Sequence, residues 1–576
     1  MKIHHKKLLP LALILALSAC GEAGLEKEPS GTLTEAEVQT IENLDGLVTA
    51  AYSYIGNDHY TAPNFLWPTG NLRAGDAHKG GNGPSDIFVY HALSMYNLIV
   101  PDMASFPPDF VDLNDKKWQR NYTAISRANT ALRTMADVSD ADYPQKAIRQ
   151  GELHFLRGLV YFDLKIHHKH VPYIDENVPQ DDIKNISNMQ FSDQELWDLI
   201  VTDFRIAAEK LPPTQTQVGR AAKFAAKAML AKALLYQAYV QNDTHAVVSI
   251  DQAKLREVVS LVEEIEASGL YGLLSDYGDN FLPQFDNNKE SVFAIQRSVD
   301  DGSVEGNGGR GSWPTALNYP VGNSGFGCCG FHIPTENFVN SFKTQNGLPY
   351  DAANNANYKL SDPVDPRLDH TVSMEGKPFK YSTGTGPTAV HQGNAWARNP
   401  ATYGSYVSMK ELVSRDSPAL AQNGPFFISS MNTVLVRYAD VLLWKAEALI
   451  ELGRQDEALP IINSLRTRAA NSQGRLVGTG STYRISTYSS FADQEAARKA
   501  LRIERRLELG LEGYRFFDLV RWGVAKSTID AYLAVEGGRK PYLQSASFTA
   551  GRDEYLPIPQ QQINLSRGLY QQLLGY

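Results

Sequence analysis

Apolar residues recur at helical spacing through most of this chain, and between residues 276 and 432 they stop doing so. Trp118, Tyr122, Ile125 and Leu132 stand close to one, one and two helical turns apart, as the face of a helix with 3.6 residues per turn requires. Residues 145–167 predict a second long helix, with Ala147, Leu153, Leu156, Val160 and Leu164 on one side. Residues 192–211, 219–240 and 251–268 continue the pattern, and residues 434–452, 456–469 and 493–509 resume it. A chain of 576 residues with this texture is expected to be mainly α, as one large domain or two fused ones.

Some of these helices pair. In residues 438–470 the small side chains of Ala446, Ala448 and Ala458 let two helices approach, and Gly453 marks the turn between them. Residues 221–240 followed by 251–268 form another such pair. Both resemble a degenerate tetratricopeptide repeat, in which each helix pair buries its apolar face on the next. The expected architecture is a tetratricopeptide-like helical repeat scaffold, approximately residues 110–275 and 433–530. It carries a long irregular, loop-rich ligand-binding region, approximately residues 57–108 and 276–432. Loops of that length are either disordered or functional. Trp67, Tyr90, Trp313, Tyr319, Phe326, Tyr403 and Tyr406 fall within them, and such aromatic content argues for order.

The N-terminus reads as an address. Lys2, Lys6 and Lys7 precede a short apolar stretch at residues 8–17, and Leu17-Ser18-Ala19-Cys20 places small residues before a cysteine. The stretch is shorter than the roughly 20 apolar residues that span a bilayer. It resembles a bacterial lipobox, in which Cys20 is diacylated after removal of residues 1–19. The mature chain would then hang from acyl chains by a tether at residues 20–32. A net charge of −9 without a dense basic run argues against nucleic acid as a partner.

Several blocks, read in order, resemble the SusD/RagB family of outer-membrane nutrient-binding lipoproteins. Near the C-terminus these are Glu504-Arg505-Arg506-Leu507-Glu508-Leu509-Gly510-Leu511-Glu512-Gly513-Tyr514-Arg515 and Asp518-Leu519-Val520-Arg521-Trp522-Gly523. Upstream stand Arg437-Tyr438-Ala439-Asp440 with Ala446-Glu447-Ala448, Pro334-Thr335-Glu336, and Asp365-Pro366-Arg367-Leu368. Trp118, Tyr122 and Asn129 match the family's first helix, and Phe155-Leu156-Arg157 with Tyr161-Phe162 its second. Tyr555-Leu556-Pro557-Ile558-Pro559 matches its ending, although the Gln-Asn-Pro usual before the final Gly-Tyr is absent. The resemblance covers essentially the whole mature chain. It implies a helical repeat scaffold with an irregular binding face. It also implies a partner: a SusC-like TonB-dependent barrel transporter in the outer membrane, to which a captured nutrient, chiefly an oligosaccharide, is delivered at the cell exterior. It implies no cofactor.

Two loops carry the mixture of flat rings and polar groups that covers a sugar's apolar face and pairs with its hydroxyl rim. The first holds Trp67, Asn71, Arg73 and Asp76, with His78 and Lys79 following; the second holds Arg310, Trp313, Asn318, Tyr319 and Phe326. Family likeness implies that Asp76 steadies its loop. Trp313 is the leading platform because Gly311 and Ser312 give it little local core. Cys328 and Cys329 are adjacent and flanked by Gly327 and Gly330. In an oxidising compartment they form either a vicinal disulfide, a rigid apolar plate that a ligand could touch, or two buried thiols.

Catalysis finds little support. Glu504, Glu508, Glu512 and Asp518 alternate with Arg505, Arg515 and Arg521 at three- and four-residue spacing, which predicts ion pairs rather than the paired carboxylates of a glycosidase. Glu447, on a core-like helix, requires a guanidinium such as Arg437. His167, His168 and His170 crowd at a helix end, where positive charge suits the dipole. No metal-ligand spacing, nucleophile elbow or phosphate loop stands out. The rival readings are a surface glycoside hydrolase, with Asp76 and Glu305 the acids nearest the aromatic loops, a binder of peptide or another nutrient, and a pure repeat scaffold.

Overall fold

The computed structural model describes residues 40–56, 59–60, 66–98, 113–302, 309–381 and 389–576. The signal segment, Cys20, the tether and Glu305 lie outside these. Most of the described chain is helix: α1 (Leu44–Gly56), α2 (Leu113–Ala136), α3 (Lys146–His168), α4 (Asp193–Lys210), α5 (Lys223–Ala238) and α6 (Gln252–Ala267) come first. After a long excursion come α7 (Tyr438–Glu451), α8 (Gln455–Asn471), α9 (Gln494–Glu508), α10 (Arg515–Arg521) and α11 (Ala525–Arg539). Each long helix packs on the next in chain order from α1 to α6. Helix α6 then lies directly on α7, which packs on α8 and α9. The stack is therefore continuous, and everything between Ala267 and Tyr438 leaves it and returns. No helix among the described residues is long and apolar enough to cross a membrane.

Local chemistry sets the helix ends. Ser192 accepts from the Glu195 amide while the Glu195 side chain accepts from the Ser192 amide, so α4 starts with a capping box. Asp251 caps α6 and Asp493 caps α9 in the simpler one-sided way. Gly453, with φ of 75°, takes the left-handed turn between α7 and α8. Helix α5 sits at the centre, and Ala225, Ala226, Ala228, Ala231 and Ala233 let neighbours close on it from several sides. Leu255, Val258, Val262 and Ile265 of α6 are sealed against it, each contributing roughly 1.5–3 kcal/mol of burial.

Two expected helices are shorter than their periodicity. Residues 433–437 form a strand, β6 (Thr433–Arg437), paired antiparallel with β2 (Ser291–Ile295) at the neck of the excursion. Val434 and Val436 suit a pleated, half-buried ribbon better than a helix turn. Helix α5 likewise stops at Ala238, because Tyr239–Gln241 pairs with Val247–Ile250 as a hairpin.

The excursion packs into two further cores, one of them shared with the early loop and α9. One gathers Trp67, Tyr90, Phe331, Phe338, Phe342, Leu368 and Leu507; a smaller one gathers Tyr319, Phe326, Phe379, Trp396 and Phe427. Strand β1 (Ala77–Gly80) pairs antiparallel with β3 (Phe331–Pro334), which ties the early loop to the central one. Strands β4 (Leu420–Asn423) and β5 (Phe426–Ser429) form a hairpin that sends Phe427 into the small core.

The charged C-terminal block is buried between helices. Glu508 takes Arg437 Nη1 at 2.6 Å, Arg468 Nη2 at 2.5 Å and Arg367 Nη1 at 3.0 Å, while Glu504 takes Arg367 at 2.6 Å and Arg466 at 3.0 Å. Glu290 and Asp365, from the excursion, enter the same network. Every carboxylate here is matched by guanidinium, so the block locks excursion to scaffold. Glu447 is paired with Arg521, not with Arg437, whose guanidinium serves Glu290, Glu508 and Glu512. The crowded histidines are not charged helix-end groups either. Desolvation pushes His167 down to about 3, and His168 and His170 down to about 4, so all three are neutral near pH 7.

Candidate functional site

A row of rings reaches solvent where three segments meet. His59 and Tyr60 follow α1; Trp313 opens a short 3-10 turn, Trp313–Thr315; Phe426 begins β5. Ring centroids lie 4.1 Å apart for His59 and Tyr60, 5.3 Å for His59 and Trp313, 5.4 Å for Tyr60 and Phe426, and 6.1 Å for Trp313 and Phe426. All four side chains are half-buried, so each packs on neighbouring protein and keeps part of its surface exposed. Strand alternation explains Phe426: its neighbour Phe427 points into the small core, which turns Phe426 outward.

Cys328 and Cys329 form a disulfide across a cis peptide bond. Cys329 is buried and Cys328 half-buried. Gly327 lies against the Pro425 carbonyl at the hairpin tip, so close that a methyl group there would collide with it. Cys328 and Phe426 thus each follow a residue of this close approach, and both pack against the same core. Arg310 and Gly424 are exposed, and Asn423 stands opposite Phe426 in the hairpin register, on the same face.

The other expected site residues lie beneath or away from this edge. Trp67 is only 4% exposed. It stacks on His332 at 4.7 Å, meets Tyr90 edge-on at 5.2 Å, and donates from Nε1 to the Pro314 carbonyl at 3.4 Å. It is the anchor under the Trp313 turn, with no ring face left for a ligand. Asn71 is buried and clamps the 511–513 turn, donating to the Leu511 carbonyl and accepting from the Gly513 amide. Arg73 lies over Phe516 at 3.8 Å and donates to the Asp553 carbonyl. Asp76 accepts from Arg506 Nε at 3.0 Å and Nη2 at 2.7 Å, which steadies its loop and removes it as a free acid. Lys79 is buried, donating to the Gly83 and Asp86 carbonyls.

Asn318 is likewise buried, donating to Glu411 at 3.3 Å. Tyr319 and Phe326 face each other at 4.7 Å inside the small core. Burial thus removes Trp67, Asn71, Arg73, Asp76, Asn318, Tyr319 and Phe326 from ligand reach in this structure, because a side chain without exposed surface offers no contact. Of the expected set, Trp313 and Cys328 remain at the surface. His59, Tyr60 and Phe426 were not singled out by sequence reasoning. The only signals were the tandem His59-Tyr60 and the Pro425-Phe426-Phe427 run, both ordinary in loops.

Enclosed space is less suited to a chain of sugars. A cavity of about 140 Å³ behind the Trp313 turn is lined by Trp67, His332, Lys410, Glu411, Arg437 and Glu512, below the roughly 300–1,000 Å³ of ligand pockets. Another of about 370 Å³ lies beside α9 and α10. Arg502, Arg506 and Arg515 line it beside Tyr350, Leu519 and Trp522, so three guanidinium groups crowd its wall. The open aromatic edge is the surface best matched to a ligand with flat, weakly polar faces.

Residues 289–576 match the sequence model of the SusD family, and residues 90–235 match one described as starch-binding associating with outer membrane. The SusD-like protein P2 of Formosa agariphila is 24% identical, the alignment covering 99% of each chain. Among solved structures, a SusD homolog from Bacteroides thetaiotaomicron superimposes with a TM-score of 0.69 at 20% identity, covering 95% of this chain and 100% of that one. Surface glycan-binding protein A from Bacteroides thetaiotaomicron, in complex with laminarihexaose, gives a TM-score of 0.64 at 20% identity, covering 92% and 99%.

Proposed function

The chain belongs to the SusD family, and from that premise we propose that it captures an oligosaccharide at the cell surface and delivers it, unreacted, to a TonB-dependent barrel transporter. The observation that carries the binding half is the row of half-exposed rings His59, Tyr60, Trp313 and Phe426 beside Cys328. A pyranose has apolar C–H faces that lie on such rings, and hydroxyl edges that pair with Arg310 and Asn423. Trp67 below and Phe427 behind hold the rings before a ligand arrives, which limits the entropy lost on capture. The laminarihexaose complex of a fold relative supports a glycan as the ligand class. The description of the second matching family supports a place at the outer membrane. Acylated Cys20 is the anchor in this reading, and residues 20–32 its tether.

The mature chain, titrated calorimetrically against polysaccharides including laminarin and starch and against a peptide mixture, is expected to bind one glycan class and leave its length unchanged. Binding of peptide with no glycan binding would overturn the ligand assignment, and shortened glycan would overturn the absence of catalysis. Labelling cells with palmitate should mark the chain and fail to mark Cys20→Ala. A tagged chain extracted in mild detergent should bring a TonB-dependent barrel with it.

A further inference from the structure

Away from the aromatic edge, three residues from distant parts of the chain converge. His78 stands on β1, Glu336 opens the short helix Glu336–Asn340, and Glu536 lies near the end of α11. The side chains of His78 and Glu536 are fully buried and that of Glu336 is 17% exposed. Their ligand-type atoms all lie within 4.8 Å of one another, with His78 Nε2 and Glu336 Oε2 at 3.6 Å. His78 Nε2, Glu336 Oε2 and Glu536 Oε2 are each buried, and none makes a hydrogen bond. Three unsatisfied polar atoms turned toward one point are costly unless something lies between them.

The outward atoms of the same groups are all occupied. His78 Nδ1 pairs with the Tyr542 hydroxyl at 2.8 Å, Glu336 Oε1 faces Lys540 Nζ at 3.1 Å, and Glu536 Oε1 takes Arg539 Nη1 at 2.5 Å. Outer partners of this kind fix ring and carboxylate orientation around a metal ion and leave one lone pair from each ligand pointing inward.

We propose that His78, Glu336 and Glu536 hold a divalent first-row transition ion, with zinc the best match. One neutral imidazole and two carboxylates suit zinc, which binds them at about 2.0–2.2 Å. Calcium, which takes 6–8 oxygens, does not match. Ligand atoms around a tetrahedral ion at that radius stand about 3.4 Å apart, close to the His78–Glu336 separation. Glu536 closes the remainder by a small side-chain rotation. Water completes the fourth position on the partly exposed Glu336 side. The ion joins β1, which directly follows the loop of Asn71, Arg73 and Asp76, to the last long helix of the scaffold. Its role is structural. The competing arrangement is a direct contact of His78 with Glu336, which needs no metal.

The test uses the full mature chain, stripped with EDTA and desalted. Zinc is expected to be retained at one equivalent and to raise Tm by several degrees, with calcium giving no rise. Cobalt(II) in its place should show the intense visible absorption of a low-coordinate site. Glu536→Gln and His78→Gln should each weaken zinc at least tenfold, and Tyr542→Phe, which leaves the ligands in place, about tenfold. Absence of stoichiometric zinc together with a cobalt spectrum like the hydrated ion would overturn the proposal, as would zinc binding that survives both ligand substitutions. The cobalt spectrum and Tyr542→Phe decide the matter even where a ligand variant does not fold.

Discussion

Gly70 lies so close to Gly513 that a methyl group on Gly70 would overlap the Gly513 carbonyl oxygen. The early loop is thus docked, backbone to backbone, on the turn between α9 and α10. Asn71 completes the joint with hydrogen bonds of 2.9 and 3.0 Å to Leu511 and Gly513. Gly70→Ala is expected to destabilise the chain by about 3 kcal/mol, since neither backbone can retreat without breaking the Asn71 clamp. Thermal or urea melts check this, and an unchanged midpoint would contradict the packing.

Trp67 and Trp313 should separate cleanly by mutation. Trp67 is buried and its loss opens a cavity, so Trp67→Ala should cost about 3–5 kcal/mol of stability. Trp313 is half-buried, so Trp313→Ala should cost less stability than Trp67→Ala and weaken glycan binding about tenfold or more. Melts paired with titrations on the same samples read both quantities. The reverse pattern would move the binding surface elsewhere.

These two tryptophans also show where sequence reasoning reaches its limit. Both stand beside glycine, proline or serine in loops, and nothing local tells them apart. What buries Trp67 is His332 and Tyr90, brought in by the β1–β3 pairing and the nearby helix. The long helices were legible because their apolar residues repeat on one face, which is a local property. Asp76 as a loop-steadying group rested on family likeness, but its partner Arg506 is far along the chain. The histidines at the end of α3 suit a charged helix end by spacing, which shows the dipole and not the burial. The His78, Glu336 and Glu536 cluster had no spacing to be read at all.

That burial has a pH signature. His167 is held at about 3 and His168 at about 4, against about 6.5 when unfolded. The unfolded chain therefore binds protons below pH 6.5 that the folded chain refuses. Stability is full above pH 6.5 and falls as pH drops toward 4, by about 1.4 kcal/mol per pH unit for each such histidine. His167 also bridges the Asp163 carbonyl and the Thr69 hydroxyl through its two ring nitrogens, with Nδ1 donating to the carbonyl. Denaturant midpoints measured from pH 8 to pH 4 should fall accordingly, and His167→Gln should flatten part of the slope.

A second acid-sensitive joint lies at Glu447. Arg521 donates from Nη2 to its Oε2 at 2.7 Å, and Trp522 Nε1 and the Tyr239 hydroxyl donate to Oε1 at 2.8 and 2.7 Å. Burial alone would raise this carboxyl, but Arg521 outweighs it and holds the group at about 2, below its ordinary 4.5. A depressed carboxylate contributes stability above pH 4.5 and loses it as pH falls toward 2, on the order of 3 kcal/mol in all. Its window therefore opens where the histidine window is closing. Glu447→Gln keeps the shape but leaves Arg521 with only Asp518 as a counter-charge, and should cost about 3–5 kcal/mol at pH 7. Glu447→Gln with Arg521→Met removes both charges and should recover much of that loss. Melts of the wild type and the two variants at pH 7 and pH 4 test the pair. If the double variant is no more stable than Glu447→Gln alone, the joint depends on the hydrogen bonds of Tyr239 and Trp522 rather than on charge.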